Sequence, residues 1–108
     1  PPVYHMIAIL MTSKEKSILD EFAEWIKSRF IDLCEKEELI EEDKIRFIGP
    51  ADAGISKIND VFRKVYYIKS ENYGILTKIK DYMESILPAE EKYKNISVQY
   101  DFNPMSGY

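Results

Sequence analysis

The chain has 108 residues, a hydrophobic fraction of 45% and a formal net charge of −4. That length suits one domain, residues 1–108, with a buried core, and the composition argues against disorder. A single cysteine excludes an internal disulfide, a single histidine excludes a Cys/His zinc cluster, and the net acidity argues against a dominant nucleic-acid-binding surface.

Pro1-Pro2 with no initiator Met reads as the start of a piece cut from a longer protein, and no signal peptide is evident. Residues 3–11 form a strand that is largely apolar on both faces, with Val3, His5, Ile7, Ile9 and Met11 on one and Tyr4, Met6, Ala8 and Leu10 on the other. This apolar stretch is far shorter than the roughly 20 residues that span a bilayer, so no membrane contact is expected. Thr12 and Glu15 have the spacing of a capping box, predicting a helix from about Ser13 to Cys34 or beyond. Its buried stripe is Ile18, Leu19, Phe22, Ile26, Phe30 and Leu33, with Trp25 at the edge. The acidic run from Glu35 to Asp43 is expected to be solvated. A short strand over residues 44–48 should stop at Gly49-Pro50, followed by a loop over 51–60. Residues 61–70 form a third strand, long enough for a hairpin with the second. Ser70 or Asn72 caps a second helix with Ile75, Leu76, Ile79, Met83, Ile86 and Leu87 on its apolar face, ended by Pro88. A charged connection over 89–95 leads to a half-buried strand in which Ile96, Val98, Tyr100 and Phe102 alternate with polar residues.

The order β-α-β-β-α-β predicts an α+β two-layer sandwich, ferredoxin-like, with two helices on one face of a four-stranded, mainly antiparallel sheet. Such a fold leaves one sheet face without helices. Because the first and third strands are apolar on both faces, that second face is expected to be covered from outside the chain or to expose an apolar patch.

His5 has no companion nucleophile in the sequence and reads as a packed or interfacial residue. Cys34, near the end of the first helix, reads as a small core residue. The acids from Glu35 to Asp43 lack the spacing and glycine of a calcium loop. Gly49 and Gly54 fit neither a P-loop nor a dinucleotide fingerprint, so no catalytic residue is assigned. The functional tilt lies in a charge asymmetry. Residues 32–43 carry a net −6, while residues 44–69 carry a net +4. In the basic segment Lys57, Arg63, Lys64 and Lys69 interleave with Phe62, Tyr66 and Tyr67. Cations and rings on a sheet suit single-stranded nucleic acid, and equally an acidic peptide with an aromatic anchor. The plain alternative is a salt-bridged surface that balances the acidic run.

Three runs of residues carry a family resemblance. They are the opening Pro1-Pro2-Val3-Tyr4-His5, then Ile48-Gly49-Pro50-Ala51 with Ile55-Ser56-Lys57-Ile58 and Val61-Phe62-Arg63, and the ending from Ile96 to Ser106 with Asp101, Asn103 and Pro104. In this order they span nearly the whole chain and resemble the C-terminal domain of the replication-restart helicase PriA (primosomal protein N′). The resemblance implies a ribosomal protein S10-like fold, compatible with the element order. It implies a parent ATP-dependent 3′-to-5′ DNA helicase, cytoplasmic and nucleoid-associated, whose ATP, magnesium and zinc sites lie upstream, with no cofactor in this part. It also implies partners: branched or single-stranded DNA, the acidic Phe-ending tail of single-stranded-DNA-binding protein, and the helicase core of the same chain. Phe62 and Arg63 match the family's third-strand run, whereas Val61 and Val65 stand where that run has Arg and Gln.

The expected function is therefore a non-catalytic DNA- and partner-binding domain. Lys57, Arg63, Lys64 and Lys69 would contact phosphates or carboxylates, with Phe62 and Tyr66 stacking. A ferredoxin-like regulatory domain binding a small ligand, or a purely structural docking domain, are the alternatives.

Overall fold

A computed structural model of the chain describes residues 4–37, 45–56, 60–87 and 90–103. Strand β1 (His5–Ser13) is followed by helix α1 (Lys16–Lys36), strands β2 (Arg46–Ser56) and β3 (Val61–Ser70), helix α2 (Tyr73–Ile86) and strand β4 (Ser97–Phe102). The strands form one antiparallel sheet in the order β2-β3-β1-β4, the expected ferredoxin-like arrangement.

The doubly apolar β1 and β3 take the two central positions, because only there can both ladder edges and the face under the helices bury them together. Ile7, Ile9 and Met11 of β1, Tyr66 and Ile68 of β3, the stripe of α1 and Leu76, Ile79 and Met83 of α2 make one continuous core. The predicted α1 stripe is buried apart from Ile18, which is half-buried, and Ala23 and Cys34 extend it. The connection expected before β4 is not merely charged. A 3-10 turn over Glu91–Tyr93 seats the Tyr93 ring 5.0 Å from Phe22 and 5.3 Å from Trp25.

Two local expectations fail. The Thr12/Glu15 capping box does not form. Thr12 stays in β1, paired with Arg63 on one side and Ser97 on the other, so two ladders outweigh one cap. The helix starts at Lys16, and Ser13 Oγ instead accepts a hydrogen bond from Glu15 N at 3.0 Å. Gly49-Pro50 does not end β2 either. The strand passes through this cis peptide by register shifts between Ile48 and Ala51 and between Asp52 and Gly54, and keeps pairing with β3 as far as Ser56. As an edge strand with bulges, β2 tolerates a proline that donates nothing to the ladder. Asn72 caps α2 as expected, its Oδ1 accepting from Gly74 N at 2.8 Å. Lys44, the predicted start of β2, and Pro88, the predicted stop of α2, lie outside the described residues.

The face away from the helices departs from expectation as well. Ala8, Leu10 and Val65 are buried within the chain, Leu10 at 6% exposure, in a small second cluster with Ala53 and Tyr67. Among the described large apolar side chains of that face, Tyr4 and Ile48 are exposed, at 52% and 44%. The broad apolar patch reduces to those two side chains, because the neighbouring strands bring larger residues up around three small or medium ones.

Candidate nucleic-acid and partner interface

Strand β3 carries most of the basic-aromatic segment, and its alternation divides that segment between two faces. Phe62, Lys64 and Tyr66 point toward the helices. Val61, Arg63, Val65, Tyr67 and Lys69 point the other way.

On the helix side Tyr66 is fully buried. Its hydroxyl donates to Ala23 O of α1 at 2.6 Å, and its ring lies 4.5 Å from Phe47, which stacks on Phe30 at 4.1 Å. Desolvation, helped by the Glu24 charge, pushes the phenol's pKa far up. Tyr66 is thus a core residue with no surface on which a base could stack. Lys64 is 19% exposed, with its ammonium 2.8 Å from Asp20 Oδ1 and 3.9 Å from Asp52. Lys16 holds the other Asp20 oxygen at 2.9 Å. Lys64 first, and then Lys16, keep the Asp20 carboxyl below its usual pKa. Phe62 packs partly against the core and, with Leu19, gives an apolar lining to a cavity of about 190 Å³ bordered by Lys16, Arg63 and Lys64 and by the carboxylates of Asp20 and Asp52.

On the open face the register builds rows of side chains across the sheet. Lys69 lies between Arg46 and Met6, Tyr67 between Ile48 and Ala8, Val65 between Ala51 and Leu10, and Arg63 between Gly54 and Thr12. Arg63 Nη1 reaches Ala53 O at 3.5 Å. Arg46, Arg63 and Lys69 join no ion pair among the described residues, and Asp101, across from Ala8, is the acid that β4 adds to this face. Of the expected site residues, then, Arg63 and Lys69 share the open face, Phe62, Lys64 and Tyr66 lie beneath the helices, and Lys57 falls outside the described residues. The sequence reading missed Arg46 and Ile48 and gave Tyr67 no role. The signal for them was the period-two alternation of the expected 44–48 strand in its hairpin with β3, whose register sets Arg46 beside Lys69 and Ile48 beside Tyr67.

His5 meets the edge of the Tyr73 ring at 5.4 Å, and burial pushes the Cys34 thiol up to about 11, so the thiolate nucleophile is scarce there. Among the described residues no His, Cys, Asp and Glu group is placed to hold a metal, and no helix is long and apolar enough to cross a membrane.

A family model described as the primosomal protein N C-terminal domain matches residues 1–105. The chain belongs to that family. It is thereby a domain of the helicase-containing protein that serves primosome assembly and replication restart. The family match covers the helical layer and both sheet faces alike, so membership does not depend on the basic segment alone. Among solved structures, the chain is similar to the de novo designed protein Foldit4, at 10% identity and a TM-score of 0.59, over 96% of this chain and 100% of that one. At that identity the likeness concerns the fold only. No curated protein sequence matches the chain.

Proposed function

We propose that this family member is a non-catalytic DNA- and partner-binding domain of an ATP-dependent 3′-to-5′ helicase, acting on forked or single-stranded DNA in the cytoplasm during replication restart. The observation that carries the reading is the set of cations on the open face. Lys16, Lys64, Lys78, Lys80, Lys92 and Lys94 all have carboxylate partners. Arg46, Arg63 and Lys69 have none among the described residues and stand on one sheet face with little opposing acid. Available cations gathered on one face attract phosphates even when the whole chain is acidic. ATP, magnesium and zinc belong in this reading to the upstream part of the parent, whose core this domain would dock against.

Fluorescence anisotropy of labelled forked DNA, titrated at several salt concentrations, tests the reading. Three phosphate contacts on a single strand predict a slope of log affinity against log salt of about −2, and Arg46→Ala with Lys69→Ala should lower its magnitude by about 1.4. Lys27→Ala, on the outer side of α1, should leave the slope alone. A slope that ignores the double substitution would reject the open face as the DNA site.

A second reading has its own observation. The cavity beside Leu19 and Phe62 offers an apolar floor, and while Asp20 and Asp52 at its border are paired with Lys16 and Lys64, Arg63 there joins no ion pair among the described residues. It suits the aromatic end and carboxylate of an acidic, Phe-ending peptide such as the tail of single-stranded-DNA-binding protein. A labelled peptide of that chemistry should bind the wild type and be lost on Arg63→Ala. Equal binding to both would remove the cavity from consideration.

A further inference from the structure

We infer that β4 is the edge through which two copies of the chain pair, joining their sheets across a two-fold axis at Tyr100. The inference does not depend on the DNA reading. Asn103 N donates to Met6 O at 2.6 Å, which fixes the phase of the ladder between β1 and β4. In an antiparallel ladder, hydrogen-bonded pairs alternate with non-bonded ones. Asp101, Gln99 and Ser97, opposite Ala8, Leu10 and Thr12, therefore turn their main chain toward β1. Val98, Tyr100 and Phe102 turn their N–H and C=O groups outward, and among the described residues none pairs with them.

An open edge accepts another strand unless proline, bulges or lysine blunt it. The other edge, β2, is blunted by Pro50 and by its register shifts. The β4 edge has no proline, lysine or bulge. The occupant that fits it is a second copy, because the edge is self-complementary. Only outward-turned residues can bond one another across the seam. With Tyr100 opposite Tyr100 of the partner subunit, Val98 meets Phe102 of the partner subunit, and every outward group is used. On the open face Gln99 then lies beside Asp101 of the partner subunit. Sliding two residues one way sets Asp101 opposite Asp101 of the partner subunit, and like charges disfavour that register. Sliding the other way carries Phe102 past the start of the partner's β4.

The flank of α2 beside β4 is complementary as well. The Tyr73 ring lies 5.3 Å from Phe102, and Lys80 Nζ lies 5.6 Å from the centre of the Tyr100 ring and 3.5 Å from Glu84. Positions 73, 80 and 84 recur on one helical stripe. The two-fold turns this stripe to face its own copy, so two lysines meet two glutamates and Tyr73, 47% exposed, gains cover. The pair closes on itself, since β4 is consumed and β2 is blunted.

Sedimentation equilibrium of the chain over a range of concentrations, with amide hydrogen exchange followed by NMR, tests this. Wild type should show a monomer–dimer equilibrium, and the amides of Val98, Tyr100 and Phe102 should gain protection as concentration rises. Val98→Pro removes an outward donor from each chain and leaves the β1 ladder intact, so it should weaken dimerisation by about tenfold or more. Glu84→Lys and Lys80→Glu each leave charges of one sign on the stripe. Each alone should be monomeric, and an equimolar mixture of the two should dimerise again. That rescue requires folded proteins, so it separates a lost interface from a lost fold. A wild type that stays monomeric at millimolar concentration would overturn the inference. A dimer whose three outward amides exchange freely, or which the charge variants leave untouched, would overturn it equally.

Discussion

Replacing Tyr66 by phenylalanine separates a core role from a ligand-contacting role. The ring is fully buried against Phe47, and the hydroxyl makes a 2.6 Å hydrogen bond to Ala23 O that ties β3 to α1. Removing the hydroxyl deletes that bond and leaves the ring in place. A buried bond of this kind contributes about 0.5–1.5 kcal/mol net. With a urea m-value of about 1.5 kcal/mol/M, the unfolding midpoint should fall by about 0.3–1 M with an unchanged slope. Tyr66→Ala should be far worse, since loss of a large buried ring costs about 3–5 kcal/mol in a domain whose whole stability is about 5–15 kcal/mol. Urea titration followed by far-UV circular dichroism reads both variants, and DNA anisotropy is then measured on the phenylalanine variant below its transition. The expected result is reduced stability with undiminished DNA affinity. Weakened DNA binding at unchanged stability would place Tyr66 on the binding surface and refute the assignment of the two β3 faces.

Two more predictions follow from local geometry. Gly49 has φ +120°, and a Cβ there would meet Val65 O at 2.9 Å, so Gly49→Ala should cost at least about 1 kcal/mol, visible as a lower thermal midpoint. An unchanged midpoint would mean that the bulge relaxes freely. Asp20 is held below its ordinary value of 3.8 by Lys64 and Lys16, a carboxylate whose folded pKa lies under its unfolded one. Its contribution is complete above the unfolded value and disappears as pH falls through the folded one. The midpoint gap between wild type and Asp20→Asn should therefore be open at neutral pH and close below about pH 4. A gap that persists in acid would show that shape, not charge, makes the difference.

Much of the fold was legible because its signals were periodic. The stripe of α1 and the alternation of β4 each place a residue by its neighbours alone, so Phe22, Ile26, Val98 and Tyr100 fall where the pattern put them. The misreadings came where a local rule met a tertiary one. Thr12 with Glu15 is a good cap in isolation, but Thr12 is held by partners that are distant in sequence, Arg63 and Ser97. Gly49-Pro50 is a good stop in isolation, but an edge strand needs ladder bonds on one side only and absorbs the pair as a bulge. Neither the pairing partners nor the edge position can be read from residues 12–15 or 49–50 themselves.

The site was less legible for a related reason. Interleaved cations and aromatics from residue 57 to residue 69 look like one patch along the sequence, yet in a strand they are two sets that face opposite ways. Pairing then decides which charges remain available. Lys64 looks as promising as Lys69 in the sequence, and Asp20, more than forty residues earlier, neutralises it. Arg46 looks isolated, and the hairpin sets it directly beside Lys69. The same division explains how a chain of net charge −4 can offer phosphates a basic face. In the helix layer Lys16, Lys78 and Lys80 are tied to acids, while the open face keeps Arg46, Arg63 and Lys69 with Asp101 as the acid from β4. Whole-chain charge averages over both layers, whereas a ligand lying on the sheet meets only one of them. At physiological salt, where the Debye length is about 8 Å, charges behind the sheet are largely screened and the three nearby cations dominate.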